Sequence, residues 1–184
     1  LDYGSYTVEI SVSDASPQQN MATASFQFEC FDTTNVMLAG LGDVELSVDS
    51  TYPNYESLVA LNDGFRELTG VHCRNDVSWA SAENPTPHWI EVQFAEPREI
   101  SEVSVWWAYF KSTDHTSQDI DIQVPDAEGW KNVYRSPESG HPERPLTTFR
   151  FDPVTTDRFR IYQHSGGGSP GRPDLMWVAE VEAR

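Results

Sequence analysis

Cysteine, basic residues and long apolar runs are all scarce in this 184-residue chain, and each scarcity excludes something. Only Cys30 and Cys73 are present, too few for a disulfide scaffold and without the spacing of metal ligands. Two readings of them stay open. They are unrelated thiols, or they form one bridge closing a loop of 73 − 30 = 43 residues, worth roughly 4 kcal/mol by loop entropy. Lys and Arg number 12 against 29 Asp and Glu, a formal net charge of −17. Such a field repels phosphate backbones and anionic lipid, so neither nucleic acid nor a membrane is an expected partner. It also makes a neutral ligand more natural than a sulfated or uronate-rich one, unless a local basic pocket overrides the mean. No apolar run approaches the roughly 20 residues of a membrane-spanning helix. Leu1 opens directly into strand-like sequence without a signal peptide, so the chain reads as a piece of something longer.

Aromatics, in contrast, are plentiful at 12%, with six Trp, and hydrophobic residues make up 38%, enough for an ordinary core. Tyr6, Val8, Ile10 and Val12 alternate with Thr7, Glu9, Ser11 and Ser13, the mark of a half-buried strand. A turn cluster at Asp14–Pro17 and a second alternating run through Ala22, Ala24, Phe26 and Phe28 complete a hairpin. Beyond Val36 come short strands at 44–48, 88–94, 99–110, 119–124, 130–134, 147–151, 158–163 and 175–182. Turn formers at 95–97, 125–129 and 152–153 separate them, and only 56–61 suggests a helical turn. This spacing predicts an all-β, antiparallel β-sandwich of jelly-roll type with an N-terminal β-hairpin. Side-chain parity puts Val103, Val105 and Trp107 inside and Trp106 on the opposite face, where it needs a cover; the hairpin is the leading candidate. In the last strand Leu175, Trp177, Ala179 and Val181 share one parity and Glu180 takes the other.

Signatures of catalysis are missing. There is no His-Glu-x-x-His and no Gly-x-Ser-x-Gly. The Gly-rich run 165–171 has neither a Walker lysine nor a following helix. The five histidines, at 72, 88, 115, 141 and 164, are scattered. A binding role is therefore expected rather than an enzyme's. A lyase- or esterase-like sandwich would need a buried, perturbed His or Tyr in a cleft.

Several landmarks point to a family. Ala60-Leu61-Asn62-Asp63-Gly64 resembles the early Asp-Gly loop of discoidin, or F5/8 type C, domains, and Val77–Ser81 resembles their Trp-x-Ser. His88–Phe94, Ile100–Val103, Gly129-Trp130-Lys131, Phe159-Arg160-Ile161 and Ala179–Glu182 follow in family order. Residues 43–184 thus look like a galactose-binding-like carbohydrate-binding module of the family-32 type. Residues 1–31 resemble the last two strands of a PKD or immunoglobulin-like domain, and 32–42 read as a linker.

The resemblance implies a structural Ca²⁺ held by the Ala60 carbonyl and the Asp63 and Glu180 carboxylates, in keeping with the oxygen ligands that calcium takes. It places sugar contacts in the loops at one end of the sandwich, where an aromatic face and hydrogen-bonding side chains are needed. Tyr109, His115 and Arg172 are the leading candidates there, with His164 and Tyr55 beside them. The implied role is a non-catalytic module that holds a secreted bacterial glycan-active enzyme, in the same chain, on its glycan. Such a module is expected to be monomeric and extracellular, periplasmic or cell-surface. The alternative is a structural spacer or protein-interaction domain without a sugar site.

Overall fold

The computed structural model describes residues 4–15, 20–30, 34–38, 44–66 and 75–184. Cys73 and the Cys30 side chain lie outside the described residues, and the question of a bridge lies there with them. The chain divides into two compact units, Leu1–Thr33 and Thr34–Arg184.

The first unit is the hairpin that the alternation predicts. Strands β1 (Gly4–Ser13) and β2 (Met21–Cys30) pair antiparallel from Gly4↔Cys30 to Ser13↔Met21. Asp14 closes the turn end: its N–H donates to the Asn20 carbonyl at 3.0 Å and its carboxylate accepts the Asn20 N–H at 3.1 Å. Ile10, Val12 and Phe26 are exposed within this unit. A lone two-stranded ribbon is marginal in water.

The second unit is a β-sandwich. Its strands are β3 (Val44–Val48), β4 (Trp79–Ala80), β5 (His88–Trp107), β6 (Tyr109–Phe110), β7 (Thr113–Asp114), β8 (Ile120–Asp126), β9 (Gly129–Arg135), β10 (Leu146–Gln163) and β11 (Trp177–Ala183). The one helical element among the described residues is a 3-10 turn at Leu58–Leu61, inside the 56–61 stretch where a helical turn was expected. All pairings are antiparallel. The first half of β5 lies between β3 and the second half of β10, which continues to β8 and β9. The second half of β5 lies between β11 and the first half of β10, and β4 flanks β11. Alternate residues of both halves meet in one core, with Ile90, Val92, Phe94, Val103, Val105 and Trp107 from β5 against Phe149, Phe159 and Ile161 from β10.

Two expectations need correction. The clusters at 95–97 and 152–153 are not breaks between strands but lie within the continuous β5 and β10. Pro153 falls in the register shift between the pairs Arg150↔Glu102 and Val154↔Ile100. Pro97 lies beside the shift that separates Thr156↔Arg98 from Arg158↔Gln93. A proline has no N–H for a ladder, so long strands tolerate it where pairing is already interrupted. Second, residues 34–38 are part of the sandwich rather than a spacer. Met37 and Leu38 are buried, Val36 N–H donates to the Ala183 carbonyl at 3.0 Å, and Asn35 Oδ1 accepts from Met37 and Ala183. Within the second unit Trp106 meets Arg66, whose guanidinium carbon sits 4.5 Å from its ring centroid and which pairs with buried Glu182.

Both ends of β5 arrive at the same place. His88 Nε2 lies 3.1 Å from the Asp174 carbonyl, and Ala108 N–H donates to the Trp177 carbonyl at 3.1 Å. Both ends of β10 meet residues 116–117, through Thr116 Oγ1 to the Arg144 carbonyl at 2.8 Å and Ser117 Oγ to Gln163 Oε1 at 2.6 Å. The loops 49–57, 81–87, 108–119, 136–145 and 164–176 therefore gather at one end of the sandwich.

Candidate functional site

At this loop end, a cavity of about 230 Å³ is lined by Tyr52, Tyr55, Ala80, Phe110, Arg172, Leu175 and Trp177. Trp177 opens β11 and forms the floor; it is buried and its indole N–H donates to Ser78 Oγ at 3.2 Å. Tyr55 meets it edge-on at 5.5 Å, Phe110 packs at 5.8 Å and His115 at 5.1 Å. Tyr52 extends the wall, 6.0 Å from Tyr55.

Arg172 is the polar counterpart. Its guanidinium carbon is 5.6 Å from both the Tyr52 and Trp177 ring centroids. Glu83 holds it in a two-point grip, Nε to Oε1 at 2.9 Å and a terminal nitrogen to Oε2 at 2.5 Å. The pair raises the Arg172 pKa and lowers that of Glu83, so both are charged at neutral pH. The loop that presents Arg172 depends on Gly168: a Cβ there would come within 2.5 Å of the Arg172 and Leu175 carbonyl oxygens. His115 is buried, with Nδ1 3.1 Å from Ser169 Oγ, and its pKa is lowered by burial and then by the Arg172 charge. It is a neutral imidazole at neutral pH, able to donate or accept one hydrogen bond at each nitrogen.

Aromatic walls and a fixed guanidinium–carboxylate pair suit a saccharide, whose C–H faces stack on rings while its hydroxyls take donors and acceptors in pairs. The volume is below the roughly 300–1,000 Å³ of drug-sized pockets and matches no more than about one sugar ring.

Of the expected sugar contacts, Tyr55, His115 and Arg172 come together here. Tyr109 does not line the cavity; it pairs with Asp114 across β6–β7, and its neighbour Phe110 faces in. His164 lies elsewhere, with Nε2 2.9 Å from Asp121 Oδ2 on the side of β8 and β10. Trp177 reads in sequence as a core residue, and burial bears that out, yet it also floors the cavity. Glu83 carries no local signal, since its partner is 89 positions away.

The expected calcium ligands are also neighbours. Glu180, fully buried in β11, accepts the Gly64 N–H at 3.2 Å through Oε1, while Oε2 is buried with no partner among the described residues. Burial, then the charge of Asp63, push its pKa up to about 9. Asp63, whose carboxyl lies within hydrogen-bonding reach of Glu180, is raised by burial as well. Ala60 is buried in the adjoining 3-10 turn. Among the described residues no three His, Cys, Asp or Glu side chains are arranged to hold a metal ion by themselves. Two facing carboxyls with an orphaned oxygen and loop carbonyls nearby nevertheless fit a hard, oxygen-ligated cation.

Behind this site stands His88, fully buried. Its Nδ1 lies 2.8 Å from Asp49 Oδ2, and its Nε2 lies 3.2 Å from the Asn84 carbonyl and 3.1 Å from the Asp174 carbonyl. Both nitrogens face acceptors only. Burial pulls its pKa down, but the Asp49 carboxylate and the two carbonyls outweigh it, and the net shift is upward. His88 thus fastens three loops together.

The structure resembles solved carbohydrate-binding modules. Chitosan-binding module 1 of a Paenibacillus sp. IK-5 chitosanase/glucanase aligns at 19% identity and TM-score 0.58, over 82% of this chain and 98% of its own. The family 32 module of Clostridium perfringens NanJ, solved with galactose, aligns at 15% and 0.56, over 76% and 92%. The lectin domain of lectinolysin, complexed with Lewis B antigen, aligns at 11% and 0.62, over 82% and 95%. Such identities speak for the fold. Among curated proteins none matches the chain. The family model described as NedA-like, galactose-binding domain matches residues 60–161, more than half of the sequence. The chain belongs to the F5/F8 type C family.

Proposed function

We propose that this chain is a non-catalytic carbohydrate-binding module that holds a secreted bacterial glycan-active enzyme on its polysaccharide. The observation that carries the reading is the loop-end cavity, in which Tyr52, Tyr55, Phe110 and Trp177 surround an Arg172–Glu83 pair with His115 beside it. A chitosan-binding module, a galactose complex and a Lewis B complex among the structural neighbours support a glycan ligand. One ring in a small cavity gives weak affinity, roughly tens of micromolar to millimolar, so retention relies on dense ligand or several modules. The test is affinity electrophoresis of the full chain through a panel of neutral polysaccharides, with Arg172→Ala and Phe110→Ala alongside. Retardation by particular glycans, weakened by both substitutions, is the expected result. A folded protein that no glycan in a broad panel retards would leave a spacer or protein-interaction domain instead.

Asp63, Glu180 and the Ala60 carbonyl are proposed to hold a structural Ca²⁺. The ion would displace the proton that Glu180 otherwise keeps, let both carboxyls face it as carboxylates, and tie the 60–66 segment to β11. Residues 1–31 fit the tail of a PKD- or immunoglobulin-like domain preceding a monomeric module.

A further inference from the structure

The outer surface of the layer β3–β5–β10–β8–β9 carries an unusual set of side chains. Parity and register place Trp89, Glu91 and Gln93 of β5 beside Tyr162, Arg160 and Arg158 of β10, and Gln123 of β8 opposite Arg160. Trp130 of β9 joins them. The Arg160 guanidinium lies between two rings, 4.3 Å from the Trp130 centroid and 4.8 Å from that of Tyr162. Its Nε donates to Gln123 Oε1 at 2.5 Å, and Gln123 Nε2 donates onward to Asn132 Oδ1 at 2.7 Å. The guanidinium is therefore fixed in plane and orientation.

What it lacks is a carboxylate in contact: the nearest opposite charge, Glu91 across the strands, acts on it from a distance and pairs with Arg158. Arg66, Arg135, Arg150, Arg158, Arg172 and Arg184 each pair with a carboxylate. Arg98 and Arg144 form no such pair among the described residues but are exposed; Arg160 forms none and is half-buried. Glu91, its neighbour across the strands, turns to Arg158 at 3.4 Å. In a chain with 29 acidic residues against 12 basic ones, an unpaired, half-buried guanidinium is conspicuous. Partial burial of a charge costs free energy unless a partner of opposite sign is met, and burial already lowers the Arg160 pKa. Two arginines share one Glu91, which leaves one positive charge over. The terminal nitrogens form the fork that fits a planar carboxylate in two-point fashion.

We propose that Arg160, framed by Trp130 and Tyr162, is a second ligand site, one that takes the carboxylate of an acidic saccharide such as a uronate. The anion follows from Arg160 itself; the saccharide rests on the reading of the chain as a glycan-binding module, with the two rings supplying its stacking surface. This site would recognise an anion locally although the chain as a whole repels one.

The test is titration of the full chain with trigalacturonic acid and with its uncharged methyl ester, followed by calorimetry. Wild type is expected to bind the acid at least about tenfold more tightly than the ester. Arg160→Gln should remove that preference, Arg160→Lys should keep only part of it, and Arg172→Ala should leave it intact; thermal melts confirm that each variant is folded. Equal binding of acid and ester, or no binding of the acid, overturns the proposal. So does a preference lost in Arg172→Ala but kept in Arg160→Gln, which would put the ligand in the loop-end cavity. The neutral-glycan panel is read separately, so its failure would refute the module itself and not this site.

Discussion

Replacing His88 by Gln tests whether the loop end is built around a buried imidazolium. The side chain has no exposure and meets Asp49, Asn84 and Asp174, on three separate loops, at 2.8, 3.2 and 3.1 Å. A hydrogen bond to a charged group contributes about 1.5–3 kcal/mol, and breaking a buried pair costs about 3–5. Asp49 keeps Ser50 Oγ at 2.6 Å and the Trp89 N–H at 2.8 Å and is partly exposed, which argues for the lower end. We expect a loss of ~3 kcal/mol in urea unfolding at pH 6, or ~6–12 °C in Tm for a domain of this size. The pH dependence follows from the direction of the shift. The His88 pKa is raised above its unfolded value near 6.5, so its stabilisation is full below that pH and is lost as pH rises through the folded value. Asp49, held below its ordinary range despite burial, works in the opposite sense: its share is present above the ordinary carboxylate pKa and disappears in acid. The wild type should therefore lose stability from pH 6.5 upward relative to His88→Gln, and the gap between them should narrow. A variant less than 1 kcal/mol below wild type at pH 6, or a gap that does not narrow with pH, would refute a charged His88.

Other substitutions separate the parts of the site. Calcium at about 100 times its Kd should raise stability by ~2.7 kcal/mol, or ~5–10 °C, and EDTA should reverse this in a thermal melt. Glu180→Gln should abolish that response yet change the calcium-free melt by less than ~1 kcal/mol, because the free acid, with its pKa pushed to about 9, is already uncharged at pH 7. Phe110→Ala should weaken glycan retardation about tenfold while Tyr109→Ala leaves it within about twofold, since only Phe110 lines the cavity. Asn35→Ala should cost about 1–3 kcal/mol in urea unfolding, because the Met37 and Ala183 N–H groups lose a buried acceptor.

The strands were legible where period-2 alternation runs uninterrupted. Val44–Val48 matches β3 residue for residue, and His88–Phe94 and Arg158–Gln163 match the paired halves of β5 and β10. Continuity through Pro97 and Pro153 was not legible, since a proline reads locally as a stop and only the partner strand shows that its missing N–H falls at a register shift. Glu180 and Asp63 were named through the family resemblance; parity alone sets Glu180 opposite Leu175, Trp177, Ala179 and Val181 and gives no sign that Glu182 is buried too.

The loop-end cavity was half legible for a related reason. Loop composition names a region and not the side chain that faces inward, so Tyr109 was favoured and Phe110 is the residue that lines the cavity. Arg172 and Glu83 meet across 89 positions, through loops whose relative placement is fixed by His88 and by both ends of β5 arriving together. The alternating strands encode the core and leave the loop tips to differ in sequence without disturbing it. The residues that line the loop-end cavity are therefore ones that strand periodicity does not constrain, whereas Arg160 lies on the solvent face of a regular strand, where parity exposes a candidate only when charge pairing is read with it.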